Sequence, residues 1–159
     1  MTALDGDLGW TLGVVFRAYL KASSAAMTDI PGEHRGYQVL TAAARDEAPS
    51  QSALGERLGI DRTVLTYLLD DLERADLVAR RPDPADRRTR RIVATDPGRA
   101  LLRRLEERLA HAEARVLAGL PAEDQVTLKA LLRRLARHAN AFDPVEDTCA
   151  VVEDIRAGG

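Results

Sequence analysis

Cysteine and long apolar runs are the features that this chain has least of. Among its 159 residues the only cysteine is Cys149, which excludes an intramolecular disulfide and a cysteine-rich zinc site. The histidines His34, His111 and His138 are widely separated, so the sequence predicts no metal site and no cofactor. No apolar run approaches the roughly 18 residues of a membrane span, and the first residues lack the pattern of a secretory signal. We therefore expect a cytoplasmic protein without a membrane partner.

Catalytic motifs are also absent from the sequence. The chain has no glycine-rich phosphate loop, no nucleophile elbow and no His-Glu-x-x-His motif. Its serines Ser23, Ser24 and Ser50 have no evident base to activate them as nucleophiles. The sequence therefore predicts a protein that is not an enzyme.

Positive charge comes almost entirely from arginine, since Lys21 and Lys129 are the only lysines. The net charge of −2 conceals an uneven distribution, because residues 80–91 contain six arginines and only two aspartates. Nucleic-acid binding follows such a local patch more closely than the net charge. A charge run is also the ordinary composition of a solvated hairpin, so the neighbouring elements decide between these interpretations.

Hydrophobic periodicity predicts a mainly α fold with a small β-hairpin. Apolar residues recur at spacings of three and four over most of the chain, whereas the arginine-rich region has the alternation and turn residues of a hairpin. The length fits a single domain, 1–159, with its own core. The predicted helices are 8–28, 36–47, 51–58, 62–75, 96–119 and 122–141, and the predicted strands are 77–81 and 89–94.

Two short helices precede the hairpin, and a tight turn joins them. Ser50 and Asp61 are suitable N-caps for the two helices, and Gly59 stands where the first helix needs a left-handed residue. The second helix has an apolar stripe, which leaves the opposite face polar and exposed. The stripe consists of Leu65, Leu68, Leu69 and Leu72. This order of elements predicts a winged helix-turn-helix, which places a helix in the major groove of DNA.

Residues 52–102 resemble the MarR family of transcriptional regulators. The most specific motif is Asp86-Arg87-Arg88 in the hairpin, placed after Leu-Val-x-Arg, and the helices before and after it have the matching order and spacing. The resemblance implies a homodimer that binds a palindromic operator, usually as a repressor released by a small phenolic or anionic ligand. It divides the chain into a DNA-binding lobe at 36–95, a linker helix at 96–119, and dimerisation helices with a tail at 8–35 and 120–159.

The dimer is also expected from the apolar stripes of the terminal helices. A compact lobe of residues 36–95 cannot cover both stripes, whereas a partner chain can do so through a two-fold interface. The stripes consist of Leu12, Val15, Phe16 and Tyr19 at one end, and of Leu128, Leu131, Leu132 and Leu135 at the other.

The expected partner of the lobe is double-stranded DNA. Hydroxyl and phenol groups on the second helix can reach base edges, the start of the first helix suits a phosphate, and hairpin arginines can bind phosphates or a narrow minor groove. The candidate DNA-binding residues are Ser50, Gln51, Ser52, Arg62, Thr63, Thr66, Tyr67, Arg74, Asp86, Arg87, Arg88 and Arg90. Strand alternation predicts Arg88 and Arg90 on one face of the hairpin. The acidic Asp70 and Asp71 are expected to pair with Arg74 or with hairpin arginines.

Two residues depart from the family pattern. Tyr67 stands where an arginine is common, which leaves the base preference open and favours stacking or a methyl contact. Asp76 replaces a glycine at the corner before Leu77, so the corner is either strained or built differently. No cysteine occurs in the N-terminal helix, where peroxide-sensing family members carry theirs.

A small aromatic or anionic effector is the remaining expected partner. The candidate residues for binding it are Trp10, Arg17, His34 and Tyr37. The sequence favours the simpler interpretation, which is dimer core for Trp10 and surface positions for Arg17 and His34. The alternative function is a winged-helix module for protein contact without a ligand response. The charge of +4 over residues 80–91 argues against that alternative, because protein contact has no need of it.

Overall fold

The computed structural model describes residues 6–45 and 49–142. The fold is mainly helical with one two-stranded antiparallel hairpin, which confirms the predicted class. In chain order the elements are α1 (Leu8–Ser24), α2 (Glu33–Arg45), α3 (Gln51–Leu58), α4 (Arg62–Arg74), β1 (Val78–Pro82), β2 (Arg90–Ala94), α5 (Asp96–Val116) and α6 (Ala122–Phe142). Cys149 lies outside the described residues.

The described residues form two compact units. One contains residues 6–26 and 108–142, and therefore α1, the end of α5 and α6. The other contains residues 27–45 and 49–107, and therefore α2, α3, α4, the hairpin and the start of α5. The predicted division of the chain into lobe, linker and dimerisation segments stays a prediction.

The first helix ends earlier than the sequence predicts, at Ser24 instead of residue 28. The hydroxyls of Ser23 and Ser24 both donate hydrogen bonds to the carbonyl of Leu20, at 3.3 and 2.7 Å. Serine hydroxyls compete in this way with the backbone ladder of a helix. The Ala26 N–H then bonds to the Ser23 carbonyl in a tighter turn, which ends the helix.

The second helix begins three residues earlier than predicted, at Glu33. Gly32 and Glu33 both have positive φ, at 75° and 46°, and they turn the chain into the helix. Gly36 then lies so close to Pro31 that a Cβ would stand 1.9 Å from the Pro31 carbonyl oxygen. This close approach requires glycine at position 36.

Helix α5 ends at Val116, three residues before the predicted limit.

The core of the unit that contains α2, α3, α4 and the hairpin is built on the predicted leucine stripe of α4. Each of the stripe leucines is buried, from Leu65 to Leu72. The side chains of Val39, Leu40 and Leu54 are fully buried beside them, from α2 and α3. Burial of a leucine contributes about 1.5–3 kcal/mol, so this stripe holds α4 with its polar face outward.

The hairpin is anchored along the outer edge of β2. Its strands pair from Val78 opposite Ala94 to Pro82 opposite Arg90. The free edge of β2 meets the segment before α3, where the Ile92 N–H donates to the Pro49 carbonyl at 2.9 Å and Ser50 bridges to Arg91. The hairpin therefore forms one unit with the start of α3.

The corner between α4 and β1 has left-handed backbone at Asp76, with φ of 56°. The Thr95 hydroxyl donates to the Asp76 carbonyl at 2.5 Å, and the Thr95 N–H bonds to the Leu77 carbonyl at 3.1 Å, so the corner is held in this conformation. The strain expected from the missing glycine is therefore present as backbone with positive φ.

We predict that Asp76→Val lowers the free energy of unfolding by about 1–2 kcal/mol, because a β-branched residue is poorly tolerated at positive φ. Asp76→Gly should leave that free energy within about 1 kcal/mol of the parent, since relief of strain offsets the added freedom of the unfolded chain. Urea titration measures both values. Ala75→Val, at an exposed neighbour with φ of −79°, is the matched control. Equal losses for Asp76→Val and Ala75→Val would contradict this account of the corner.

Candidate nucleic-acid interface

The helix-turn-helix is positioned by the two predicted N-caps. The Ser50 hydroxyl accepts the Ala53 N–H at 3.1 Å and starts α3. Gly59 ends that helix with φ of 63°, and Asp61 accepts the N–H groups of Thr63 and Val64 at 2.8 and 3.2 Å to start α4. The turn is therefore short and closed by local hydrogen bonds, which sets the direction of α4.

The outward face of α4 brings together three of the predicted residues. Arg62 and Thr63 are exposed, and Tyr67 has 68% of its surface exposed, which is unusual for an aromatic residue in a folded domain. Val64 is also exposed on this helix and was not among the predicted residues. Its apolar side chain gives the face a group that suits the methyl of thymine.

The side chains of Thr66 and Gln51 form a hydrogen bond with each other within the protein. The Gln51 amide donates to the Thr66 hydroxyl at 3.0 Å, and this hydroxyl donates to the Arg62 carbonyl at 2.8 Å. The pair therefore braces α3 against α4. Among the other predicted residues of α3 and α4, Ser52 is exposed and Arg74 forms an ion pair with Asp71 at 2.6 Å.

The turn of the hairpin is shaped by Asp86. Its carboxylate accepts the backbone N–H of Arg88 and the hydroxyl of Thr89, both at 3.0 Å. The Thr89 N–H also bonds to the Asp86 carbonyl at 2.9 Å. Asp86 thus orients the backbone of Arg88 and leaves the Arg88 side chain exposed.

The predicted alternation of Arg88 and Arg90 on one strand face is wrong. Strand β2 begins at Arg90, and Arg88 lies in the turn that Asp86 closes. Strand periodicity therefore does not extend to Arg87 and Arg88. Within the strands, the pairing register places Arg90 on the same face as Arg80 and Ile92, while Arg81 and Arg91 occupy the other face.

The six arginines of residues 80–91 divide into two groups. Two are neutralised: Arg80 pairs with Asp70 and Glu73, each at 2.7 Å, and Arg91 pairs with Asp83 at 2.7 Å. Four are exposed and have no ion pair within the described part of the chain, namely Arg81, Arg87, Arg88 and Arg90. Arg81 was not among the predicted residues, although the run of arginines already contained it. The expected pairing of Asp70 with a hairpin arginine is confirmed, as is that of Asp71 with Arg74.

Two carboxylates beside these arginines have lowered pKa values. The backbone N–H of Arg80, with help from its guanidinium, lowers the pKa of Glu73 although burial acts against it. The backbone N–H of Ala85, followed by the Arg91 guanidinium, lowers the pKa of Asp83. A lowered pKa means that both carboxylates contribute stability above the usual carboxyl pKa and lose it only as the pH falls below that value. The two arginines are therefore paired at neutral pH.

The residues predicted to bind an effector belong to separate units of the structure. Arg17 lies over the Trp10 ring at 5.7 Å from its centroid, and both residues belong to the unit of α1 and α6. His34 and Tyr37 are half-buried and belong to the other unit.

Within residues 6–45 and 49–142, no three His, Cys, Asp or Glu side chains are grouped so that they could hold a metal ion. None of the helices in this part of the chain has the length and apolar character needed to cross a bilayer.

Comparison with known proteins places this arrangement among transcriptional regulators. The model of the MarR family matches residues 34–89. A putative transcriptional regulatory protein for the hcr operon of Thauera aromatica is 30% identical over 139 residues, which cover 85% of this chain and 82% of that protein.

Two solved structures show similar chains with their partners. The transcriptional repressor CouR bound to a 23-mer DNA duplex has 26% identity and a TM-score of 0.73, over 86% of this chain and 96% of that one. CouR from Rhodococcus jostii RHA1 bound to p-coumaroyl-CoA has 31% identity and a TM-score of 0.68, over the same shares of the two chains.

Proposed function

This chain belongs to the MarR family of DNA-binding transcriptional regulators and is not an enzyme, and we propose that it represses transcription by binding a palindromic operator as a homodimer that a small ligand releases. The observation that carries the proposal is the exposed face of α4 beside the four hairpin arginines that have no ion pair among the described residues. We call α4 the recognition helix and residues 78–94 the wing.

The recognition helix and the wing supply different kinds of DNA contact. The recognition helix offers Thr63, Val64 and Tyr67 to base edges, which carry the sequence information in the major groove. The wing offers arginines to phosphates or to a narrow minor groove, which contributes affinity and fixes the register. A protein that resembles this chain, CouR, has been solved on a DNA duplex.

The homodimer is supported by apolar residues that remain exposed on the terminal helices. On α1 these include Trp10, Leu12 and Val15, and on α6 they include Leu131 and Leu135. Such a stripe along a whole helix is typical of an interaction surface. An isologous dimer would bury both stripes and place two recognition helices on half-sites about 34–36 Å apart.

The ligand is expected to be a small aromatic or anionic molecule. CouR, which resembles this chain, has been solved with p-coumaroyl-CoA, an aromatic acyl group on an anionic carrier. In this chain Trp10 and Arg17 already place a cation against a ring, and His34 and Tyr37 are the other candidates. Such a ligand releases DNA only by binding more tightly to a dimer whose recognition helices do not fit the operator.

Selection of bound fragments from the source genome tests the proposal. We expect a palindromic motif with half-sites one helical turn apart, bound more tightly than random DNA by about 10³-fold or more. Affinity for the motif should fall linearly on a logarithmic scale as salt rises. Absence of any enriched motif, with the purified protein folded, would contradict the proposed function and favour a module for protein contact.

Substitutions of Tyr67 and of Arg62, at opposite ends of the proposed DNA-facing surface of α4, are expected to affect DNA binding in different ways. Tyr67→Ala should change the preferred motif at the bases that the phenol reaches, because Tyr67 is the most exposed large hydrophobic residue of the helix. Arg62→Ala should weaken binding to all DNA sequences alike. It should also reduce the slope of log affinity against log salt by roughly one unit, as expected for a phosphate contact. Fragment selection and salt titration measure these effects. An unchanged motif for Tyr67→Ala would show that this residue reads no base.

A further inference from the structure

We propose that Arg80 is a positioning residue that locks the wing to the recognition helix, so that both meet DNA in one fixed arrangement. The proposal rests on the proposed DNA-binding function and adds to it a residue that itself touches no DNA. Arg80 lies on β1, and its guanidinium is directed at α4 instead of the solvent, with 20% of the side chain exposed. It is thus the opposite of Arg81, the exposed arginine next to it on the same strand.

The Arg80 side chain binds three residues spaced four and three positions apart on one face of the recognition helix, namely Thr66, Asp70 and Glu73. Its Nη2 is 2.7 Å from Asp70 Oδ1 and donates to the Thr66 carbonyl at 3.3 Å, while its Nη1 donates to Glu73 Oε2 at 2.7 Å. The second oxygen of Glu73 accepts the Arg80 backbone N–H at 3.0 Å. These bonds span two turns of α4, so they restrain both the distance and the tilt of the strand relative to the helix.

This set of bonds requires a guanidinium. Arginine presents several donors in one rigid plane, whereas the ammonium of lysine is a point charge that cannot hold three acceptors in this planar arrangement. Arg80→Lys therefore keeps the charge and loses most of the geometry. This difference separates a positioning role from simple neutralisation of Asp70 and Glu73.

The rest of the wing is held by contacts that do not involve the Arg80 side chain. Strand β2 is bonded to the segment before α3 through Ile92 and Pro49, and the wing loop is closed by Arg91 and Asp83. Removal of the guanidinium should therefore leave a folded wing whose orientation toward α4 is less restricted. The exposed wing arginines would still find phosphates, but not in fixed register with the bases that α4 reads.

The expected signature is a loss of discrimination, not of general DNA affinity. Specific binding needs the recognition helix and the wing to engage together, and non-specific binding needs only positive charge. With Arg80→Lys we expect affinity for the selected operator to fall about tenfold, while affinity for random duplex changes less than twofold. Arg80→Met should show the same loss of discrimination or a larger one.

The experiment measures operator and random-duplex affinity of the full-length protein at several salt concentrations, together with thermal unfolding. Arg103→Lys is the matched control, because it makes the same change at an exposed arginine of α5 that has no ion pair in the described part of the chain, and its affinity ratio should equal that of the parent. Arg80→Lys with the parent's unfolding temperature and a lowered ratio supports the proposal. An unchanged ratio for Arg80→Lys overturns it and leaves charge neutralisation as the role of Arg80. An equal loss on both DNAs also overturns it. If the parent protein selects no operator at all, the proposed function fails first.

Discussion

Replacement of both Leu131 and Leu135 with glutamate is expected to convert the protein into a monomer that has lost most of its operator affinity. The two side chains are 52% and 55% exposed in the single chain, and they lie one helical turn apart on α6. In the proposed dimer both are buried, so two unpaired carboxylates would enter an apolar interface, which is strongly unfavourable. A monomer reaches only one half-site and loses the gain of simultaneous binding, which is about 10²–10⁴-fold.

Sedimentation measures the change in mass, and operator binding at fixed salt measures the loss of affinity. Arg133→Gln with Arg137→Gln is the matched control, because it makes the net charge more negative by the same amount, at the same spacing, on the exposed face of α6 opposite the leucines. The control should stay a dimer of twice the chain mass. A double leucine variant that sediments as the parent does would disprove the proposed interface.

Truncation of Arg88 to alanine is expected to weaken operator binding by about 1–3 kcal/mol. Arg88 is at the turn of the wing, exposed and without an acidic partner in the described part of the chain. Because Asp86 holds the backbone of Arg88 and not its side chain, the turn should survive the substitution. The loss therefore reports a DNA contact and not a collapsed loop.

Operator affinity at fixed salt, with thermal unfolding beside it, checks this expectation. Arg133→Ala removes the same charge from an exposed position on α6 and should leave the affinity near that of the parent. A phosphate contact would also lower the salt slope by about one unit on every sequence, whereas a minor-groove contact would weaken the operator most. Equal affinities for the Arg88 and Arg133 variants would remove Arg88 from the interface.

The parts of the fold that could be predicted from sequence depend on contacts between near neighbours. Ser50 and Asp61 cap their helices through bonds to N–H groups two or three residues away, and Gly59 adopts its left-handed conformation alone. The Asp86 turn is equally local. Where prediction failed locally, as at the end of α1, the cause was competition between Ser23 and Ser24 hydroxyls and the helix ladder, which periodicity does not register.

The sequence by itself determined the fold class, the family, the capped helix pair, the leucine stripe and the existence of an arginine-rich wing. Only the tertiary structure decided which of those arginines pair with carboxylates and which remain exposed. Arg80 and Arg91 meet acids that are seven to ten positions distant in the chain, whereas Arg81, Arg87, Arg88 and Arg90 meet none in the described residues. The tertiary structure likewise pairs the Thr66 hydroxyl with the Gln51 amide, fifteen residues away, and leaves the Tyr67 side chain exposed. Arginines in a row have the same composition and propensity, so their roles separate only when packing brings a carboxylate within reach of some of them and not of others.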